Sequence, residues 1–182
     1  MPGVDSPANV IEAAEACRGA VRRALAFELD FAPETLPVLD HYLSTSEARK
    51  DGVLHLVATM AGAYFGETVR RTYECEWHAP AGDTDSWRLE FQRCFLHFNP
   101  VATAREAILR DDAHDGESAF GLDGEVQDAV EAKLAALPPV AREDYYRLAT
   151  RFEVLAIVID ALLAGGRDVR TLDAAYYAER LA

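Results

Sequence analysis

The sequence predicts an α+β fold: a mainly helical single domain over residues 1–182, with a small antiparallel β-sheet at about residues 73–98 inserted after a buried central helix. Three observations lead there. From Gly52 to Tyr73 the chain reads GVLHLVATMAGAYFGETVRRTY, with apolar or small residues at nearly every position from Val53 to Phe65. A helix that is apolar all round is buried on several faces. Directly after it the pattern changes to strict alternation, with Tyr73, Cys75 and Trp77 against Glu74, Glu76 and His78, then Trp87, Leu89 and Phe91 against Arg88, Glu90 and Gln92. Period two is the mark of a half-buried strand. Elsewhere the apolar residues recur at spacings of three and four, the mark of amphipathic helices.

After a tail at residues 1–5, Ser6 and Pro7 read as the N-cap and first residue of a helix. Val10, Ala13, Ala14, Cys17, Val21, Ala24 and Leu25 form its apolar stripe. Cys17 on that stripe reads as a buried, inert thiol. Phe27, Leu29 and Phe31 alternate with Glu28 and Asp30, as a short strand or an extended lead-in. Pro33 opens a second helix, with Leu36, Leu39, Tyr42 and Leu43 inward. Residues 44–51 are a polar loop, with Asp51 as the expected cap of the central helix.

The central helix places Leu56 and Met60 in the core by this reading. Gly62 and Gly66 share one face, next to Ala63. Glycine lowers helix stability by roughly 0.8–1 kcal/mol per residue, so close approach of another backbone is expected there. After the strands, Asn99-Pro100 starts a further helix that runs to Leu109. Residues 111–121 read as a polar, acidic loop. A helix from about Leu122 or Asp123 carries Val126, Val130, Leu134 and Leu137, and Pro138-Pro139 ends it. The next, over residues 145–164, carries Tyr145, Leu148, Phe152, Leu155, Ile159 and Leu162 and is expected to pack on the central helix. The last runs from about Thr171 to Leu181, with Leu172, Ala175, Tyr176 and Leu181 inward.

The order of these elements resembles a group of uncharacterised bacterial proteins. The resemblance rests on Leu29-Asp30-Phe31 with Pro33-Glu34-Thr35-Leu36, on Gly62-Ala63-Tyr64-Phe65-Gly66-Glu67 with Arg70-Arg71, on Trp77, and on Asn99-Pro100. That group shares a G-x-Y-x-G-E-x-x-R helix, a following tryptophan strand and an Asn-Pro or Asp-Pro helix start. The likeness spans roughly residues 27–120 and implies the order of elements. It implies no reaction, so no catalytic residues carry over. The sequence departs at Ala32, where a capping Ser or Thr would be natural.

Hydrophobic residues make up 50% of the chain, enough for a sizeable core. The net charge is −13, from 31 acidic and 18 basic residues. That opposes nucleic acid and anionic membrane, where a basic footprint is expected. It suits a protein partner with a basic surface, or simple solvation. The longest apolar run, Val154 to Ala164, is interrupted by Asp160 and falls far short of the roughly 20 residues that span a bilayer. No basic segment followed by an apolar run opens the chain, so no signal peptide is expected. Three cysteines, Cys17, Cys75 and Cys94, fit a cytoplasmic protein with reduced thiols.

Three arrangements could carry chemistry. Cys75 and His78, and Cys94 and His97, form two C-x-x-H units that would suit tetrahedral zinc. Both lie in strand-like sequence, where residues three apart point to opposite faces, so no metal and no other cofactor is expected. Glu67 on a largely buried helix is either a general acid or base with a shifted pKa, or one half of an ion pair with Arg70 at i+3 or Arg71 at i+4. The ion pair is the expectation. Asp160 interrupts an apolar helix and is expected to face solvent. His41 and His55 lie on separate helices, with nothing in the spacing that makes them converge. The acidic loop with Asp111, Asp112, Asp115 and Glu117 lacks the spacing of a calcium loop.

No nucleophile elbow, phosphate-cradling loop, zinc-protease motif or dinucleotide fingerprint occurs. The leading expectation is a non-enzymatic cytoplasmic protein that binds or regulates a protein partner through an acidic surface, in the manner of an adaptor or immunity protein. Its binding candidates are Glu67, Arg70 and Arg71. The alternative is a small enzyme or ligand-binding protein using a cleft around Glu67 and Arg70, with His55 as a third candidate.

Overall fold

A computed structural model describes residues 5–50, 52–111, 119–164 and 171–182. Helix α1 (Ala8–Leu25) is followed by a short 3₁₀ turn (Pro33–Thr35), α2 (Leu36–Leu43) and the central helix α3 (Leu54–Thr72). Strands β1 (Cys75–His78), β2 (Arg88–Phe91) and β3 (Leu96–Phe98) come next, then α4 (Pro100–Leu109), β4 (Gly121–Leu122) and α5 (Gly124–Ala135). A short α6 (Arg142–Tyr145), the long α7 (Leu148–Ala164) and α8 (Ala174–Arg180) complete the chain. The result is a mainly helical α+β domain, as the sequence predicts. No helix of the described residues is long and apolar enough to cross a membrane.

The central helix packs between α1 and α4. Its buried residues include Val57, Ala58, Ala61, Tyr64, Phe65 and Val69. Two expectations fail here. Leu56 is 59% exposed and Met60 is only half-buried. The inward stripe of the first turns runs through Val57, Ala58 and Ala61, one position on from the assumed register. Helix α7 does not take the central helix as its main neighbour; it packs on α5 and α2. The second deeply buried helix is α4, which buries residues from Pro100 to Ile108 along most of its length. It needs this because α3 closes over one side of it while α2 and α7 touch it elsewhere.

Helix α4 starts at Pro100, whose missing N–H is no loss in the first turn. The Asn99 carboxamide oxygen accepts from the Val101 and Ala102 amides at 2.8 and 3.0 Å, closing the N-terminus. Asp51, expected to cap α3, lies outside the described residues, and α3 begins without a side-chain cap. At Ala32 the missing cap is supplied from upstream. The Asp30 carboxylate accepts from the Ala32 amide at 3.0 Å and from the Thr35 hydroxyl at 3.3 Å.

The strands form one antiparallel meander in the order β1-β2-β3-β4. Cys75 lies opposite Phe91 and His78 opposite Arg88, while Leu89 lies opposite Phe98. Strand β4 pairs Leu122 with Leu96 and Gly121 with His97. It lies at the end of a stretch read from the sequence as loop, because two residues are too short to show a period. Phe27–Phe31 forms no strand, so the extended lead-in is the correct alternative.

The predicted helix at 145–164 is two helices. The Asp40 carboxylate of α2 accepts from the amides of Leu148 and Ala149 at 2.7 and 3.1 Å and so starts α7 anew. Tyr145, expected inside, is 42% exposed. The last helix is turned from its expected register: Tyr177, not Tyr176, is fully buried, and Ala175 and Leu181 are exposed. The Tyr177 hydroxyl lies 2.7 Å from the Phe91 carbonyl and 2.9 Å from that of Leu96, and it accepts from the Leu96 amide at 3.2 Å. A single side chain thereby ties the C-terminal helix to the β2–β3 connection.

Candidate functional site

Glu67 sits on the second turn from the end of α3, only 3% exposed. The local helix puts Arg70 three residues on, and its Nε and second guanidinium nitrogen donate to the two Glu67 oxygens at 3.0 and 3.2 Å. Trp77 reaches back from β1 and donates its indole N–H at 2.8 Å. Its ring packs where a Gly66 side chain would otherwise be: a β-carbon there would come within 2.3 Å of the indole. Ser6 donates its hydroxyl to Glu67 at 2.5 Å across the start of α1. The expected role of Ser6 as a helix cap is therefore wrong. Helix α1 starts at Ala8 behind Pro7 with no side-chain cap, and the hydroxyl serves the carboxylate instead.

Burial alone would raise the Glu67 carboxyl, but the donors from Arg70, Ser6 and Trp77 outweigh it and hold the group below its ordinary range. The Arg70 guanidinium is correspondingly raised, first by its hydrogen bonds to Glu67. Glu67 is thus an ionised carboxylate with three donors on Oε1 and one, from Arg70, on Oε2. A general base works best with a pKa near the working pH, and this group lies below even the ordinary carboxylate range.

Beside Glu67 lies a cleft of about 260 Å³ lined by Asp5, Ser6, Phe31, Glu67, Arg70 and Arg71, with parts of α1. Phe31 forms one wall in an unusual conformation, φ 65°. Positive φ in a bulky residue is an outlier. Ala26 and Arg110 share it, but as the residues that end α1 and α4. Phe31 ends no helix. It is held by its amide donating to the Tyr64 hydroxyl at 2.8 Å and by stacking of the two rings at 4.8 Å. The Arg71 guanidinium lies over the Phe31 ring, 3.9 Å from its centre. Burial raises the Tyr64 phenol, which keeps it a neutral donor and acceptor.

The other candidates do not join this cleft. His55 is exposed, and among the described residues its ring meets only the Thr84 hydroxyl, at 3.3 Å. His41 is exposed on α2, and Asp160 faces solvent on α7 as expected. Cys75 is buried at one end of β1 while His78 is exposed at the other. Burial pushes the Cys75 thiol strongly up, the Cys94 thiol to about 11 and the Cys17 thiol to about 12. Thiols so held are poor thiolate donors. His97 packs on Phe95 and Tyr177, and burial, with Arg88 nearby, lowers its pKa. Among the described residues no three His, Cys, Asp or Glu side chains converge as metal ligands. Asp112, Asp115 and Glu117 lie outside the described residues.

Sequence reasoning found Glu67, Arg70 and Arg71 but missed Ser6, Phe31 and Trp77 as their partners. Ser6 and Glu67 are 61 residues apart, and no local pattern links them. Compared with known proteins, the chain matches no family model, no curated protein and no solved structure. Function is therefore read from the geometry of this site.

Proposed function

We propose that the protein is a non-enzymatic, cytoplasmic binding or regulatory protein that acts on a protein partner. The observation that carries this reading is the engagement of Glu67 by Ser6, Arg70 and Trp77, which holds it ionised. The strongest catalytic candidate is ionised and has no proton to give at neutral pH. His55, which would complete an acid–base pair, stands apart on an exposed face. The net charge of −13 supports a partner with a basic surface, since opposite fields speed encounter. The resemblance to uncharacterised bacterial proteins fits a bacterial regulatory protein and adds no reaction.

The test is affinity capture from the native host with the intact chain as bait, followed by crosslinking at two salt concentrations. The expected result is one stoichiometric protein partner, basic in composition, with weaker capture at higher salt. A small molecule that the chain turns over, with turnover lost in Glu67→Gln, would overturn the reading in favour of an enzyme.

A further inference from the structure

Arg71 is the side chain of the cleft whose bonding is incomplete. Its guanidinium stacks on Phe31 at 3.9 Å, and among the described residues it has neither a hydrogen-bond acceptor nor an ion-pair partner. Every other cation near it is engaged. Arg70 is held by Glu67, and Arg18 by Glu15, Glu28 and the Leu29 carbonyl. Stacking on an aromatic ring fixes the plane of a guanidinium and leaves its N–H edge free. The platform beneath it is itself fixed, because Phe31 is held at positive φ by Tyr64. Backbone strain of this kind, of order 1–3 kcal/mol, gathers at sites that hold ligands.

The charge balance around Arg71 selects its ligand. Asp5, Glu15 and Glu67 line the same cleft, and the whole chain is acidic. Arg70 neutralises Glu67 and Arg18 neutralises Glu15, so a dianionic phosphate would bring two charges to one free cation beside Asp5. A planar carboxylate matches the guanidinium fork with a single charge. If that carboxylate sits on a basic chain, the neighbouring positive groups face Asp5, whose charge also acts on Arg70.

We propose that the cleft beside Glu67 binds a peptide carboxylate, a chain terminus or an acidic side chain carried on a basic segment, with Arg71 stacked on Phe31 as the recognising group. This rests on the reading of the protein as a protein-binding module and names the group that it recognises. Glu67 acts as a positioning residue, holding Arg70 so that only Arg71 is open to the ligand.

The test uses the whole chain and four probes in an NMR titration: acetyl-Lys-Gly-Leu as free acid, the same peptide amidated, amidated acetyl-Lys-Glu-Leu, and inorganic phosphate. The free acid or the glutamate peptide is expected to shift the Arg71 side-chain N–H and the Phe31 amide, and the plain amide to leave both unmoved. Which of the two carboxylates binds tighter identifies its source. Arg71→Gln should weaken that binding about 10- to 100-fold, the loss of a charge-assisted pair, and should melt like the parent because Arg71 is exposed. Equal shifts from acid and amide, shifts from phosphate alone, or no shift at all would overturn the site. A partner captured equally well by parent and Arg71→Gln would also overturn it while leaving the binding reading intact; turnover lost in Glu67→Gln would remove the binding reading itself.

Discussion

Gly62 lies against the backbone of Val101 so closely that a β-carbon on it would sit 2.6 Å from the Val101 α-carbon and 2.8 Å from the Pro100 carbonyl oxygen. Helices α3 and α4 can touch at this depth only because position 62 carries no side chain. The obstacle is backbone, which cannot swing aside as a side chain can. Gly62→Ala therefore separates the two helices, and its gain of roughly 1 kcal/mol in helix propensity is exceeded by an overpacking cost of about 1–3 kcal/mol or more. Gly19 in α1 is the contrast, since a β-carbon there meets only the tip of Arg23 at 3.3 Å. Thermal melts should show Gly62→Ala below the parent and Gly19→Ala at or above it. Equal behaviour of the two would mean that α4 does not press on α3.

Glu67 should be worth several kcal/mol to the fold. Breaking one side of a buried pair typically costs about 3–5 kcal/mol. Glu67→Gln keeps the volume and an acceptor, so it should melt above Glu67→Ala and below the parent. A Gln variant melting at or above the parent temperature would count against the structural role.

The same carboxylate sets an acid limit. Its pKa in the fold is below the ordinary value near 4.3. The stability that it contributes is complete above that ordinary value and is lost as pH falls through the lower folded value. Melting temperature against pH should drop on the acid side of about pH 4, and Glu67→Gln should flatten that limb. Parallel curves for the two proteins would place the acid sensitivity elsewhere.

Tyr177→Phe removes one oxygen that serves Phe91, Leu96 and Cys94 backbone groups. Leaving buried polar groups unsatisfied should cost about 1–3 kcal/mol. Hydrogen exchange at the Leu96 amide should quicken more than at amides of α1. Unchanged exchange at Leu96 would show that α8 does not hold the turn.

Leu56→Ala should change stability by no more than about 0.5 kcal/mol, as for an exposed site. Val57→Ala, at 5% exposure, should cost about 1–3 kcal/mol from lost burial and a residual cavity. The order of the two melts checks the register of α3 directly.

The sequence by itself determined the order of the main helices and of strands β1 to β3, the depth of the central helix and the Asn99-Pro100 start of α4. Each follows from interactions within a few residues: apolar spacing, alternation, a cap beside its helix. It also placed Glu67 with Arg70, because three residues on a helix are always neighbours. The tertiary structure decided which way the helices turn and what surrounds the carboxylate. Val57 rather than Leu56, and Tyr177 rather than Tyr176, face inward because a nearly all-apolar helix or a short one gives no single stripe to read; neighbours choose. Asp40 breaks one long helix in two from a distant element, which no local spacing records. The Glu67 cluster unites Ser6, Trp77 and the helix through chain closure over 61 and 10 residues. The Phe31 shelf under Arg71 exists only because Tyr64 holds a strained backbone in place. Contacts of that kind depend on packing geometry, and the order of residues alone does not contain it.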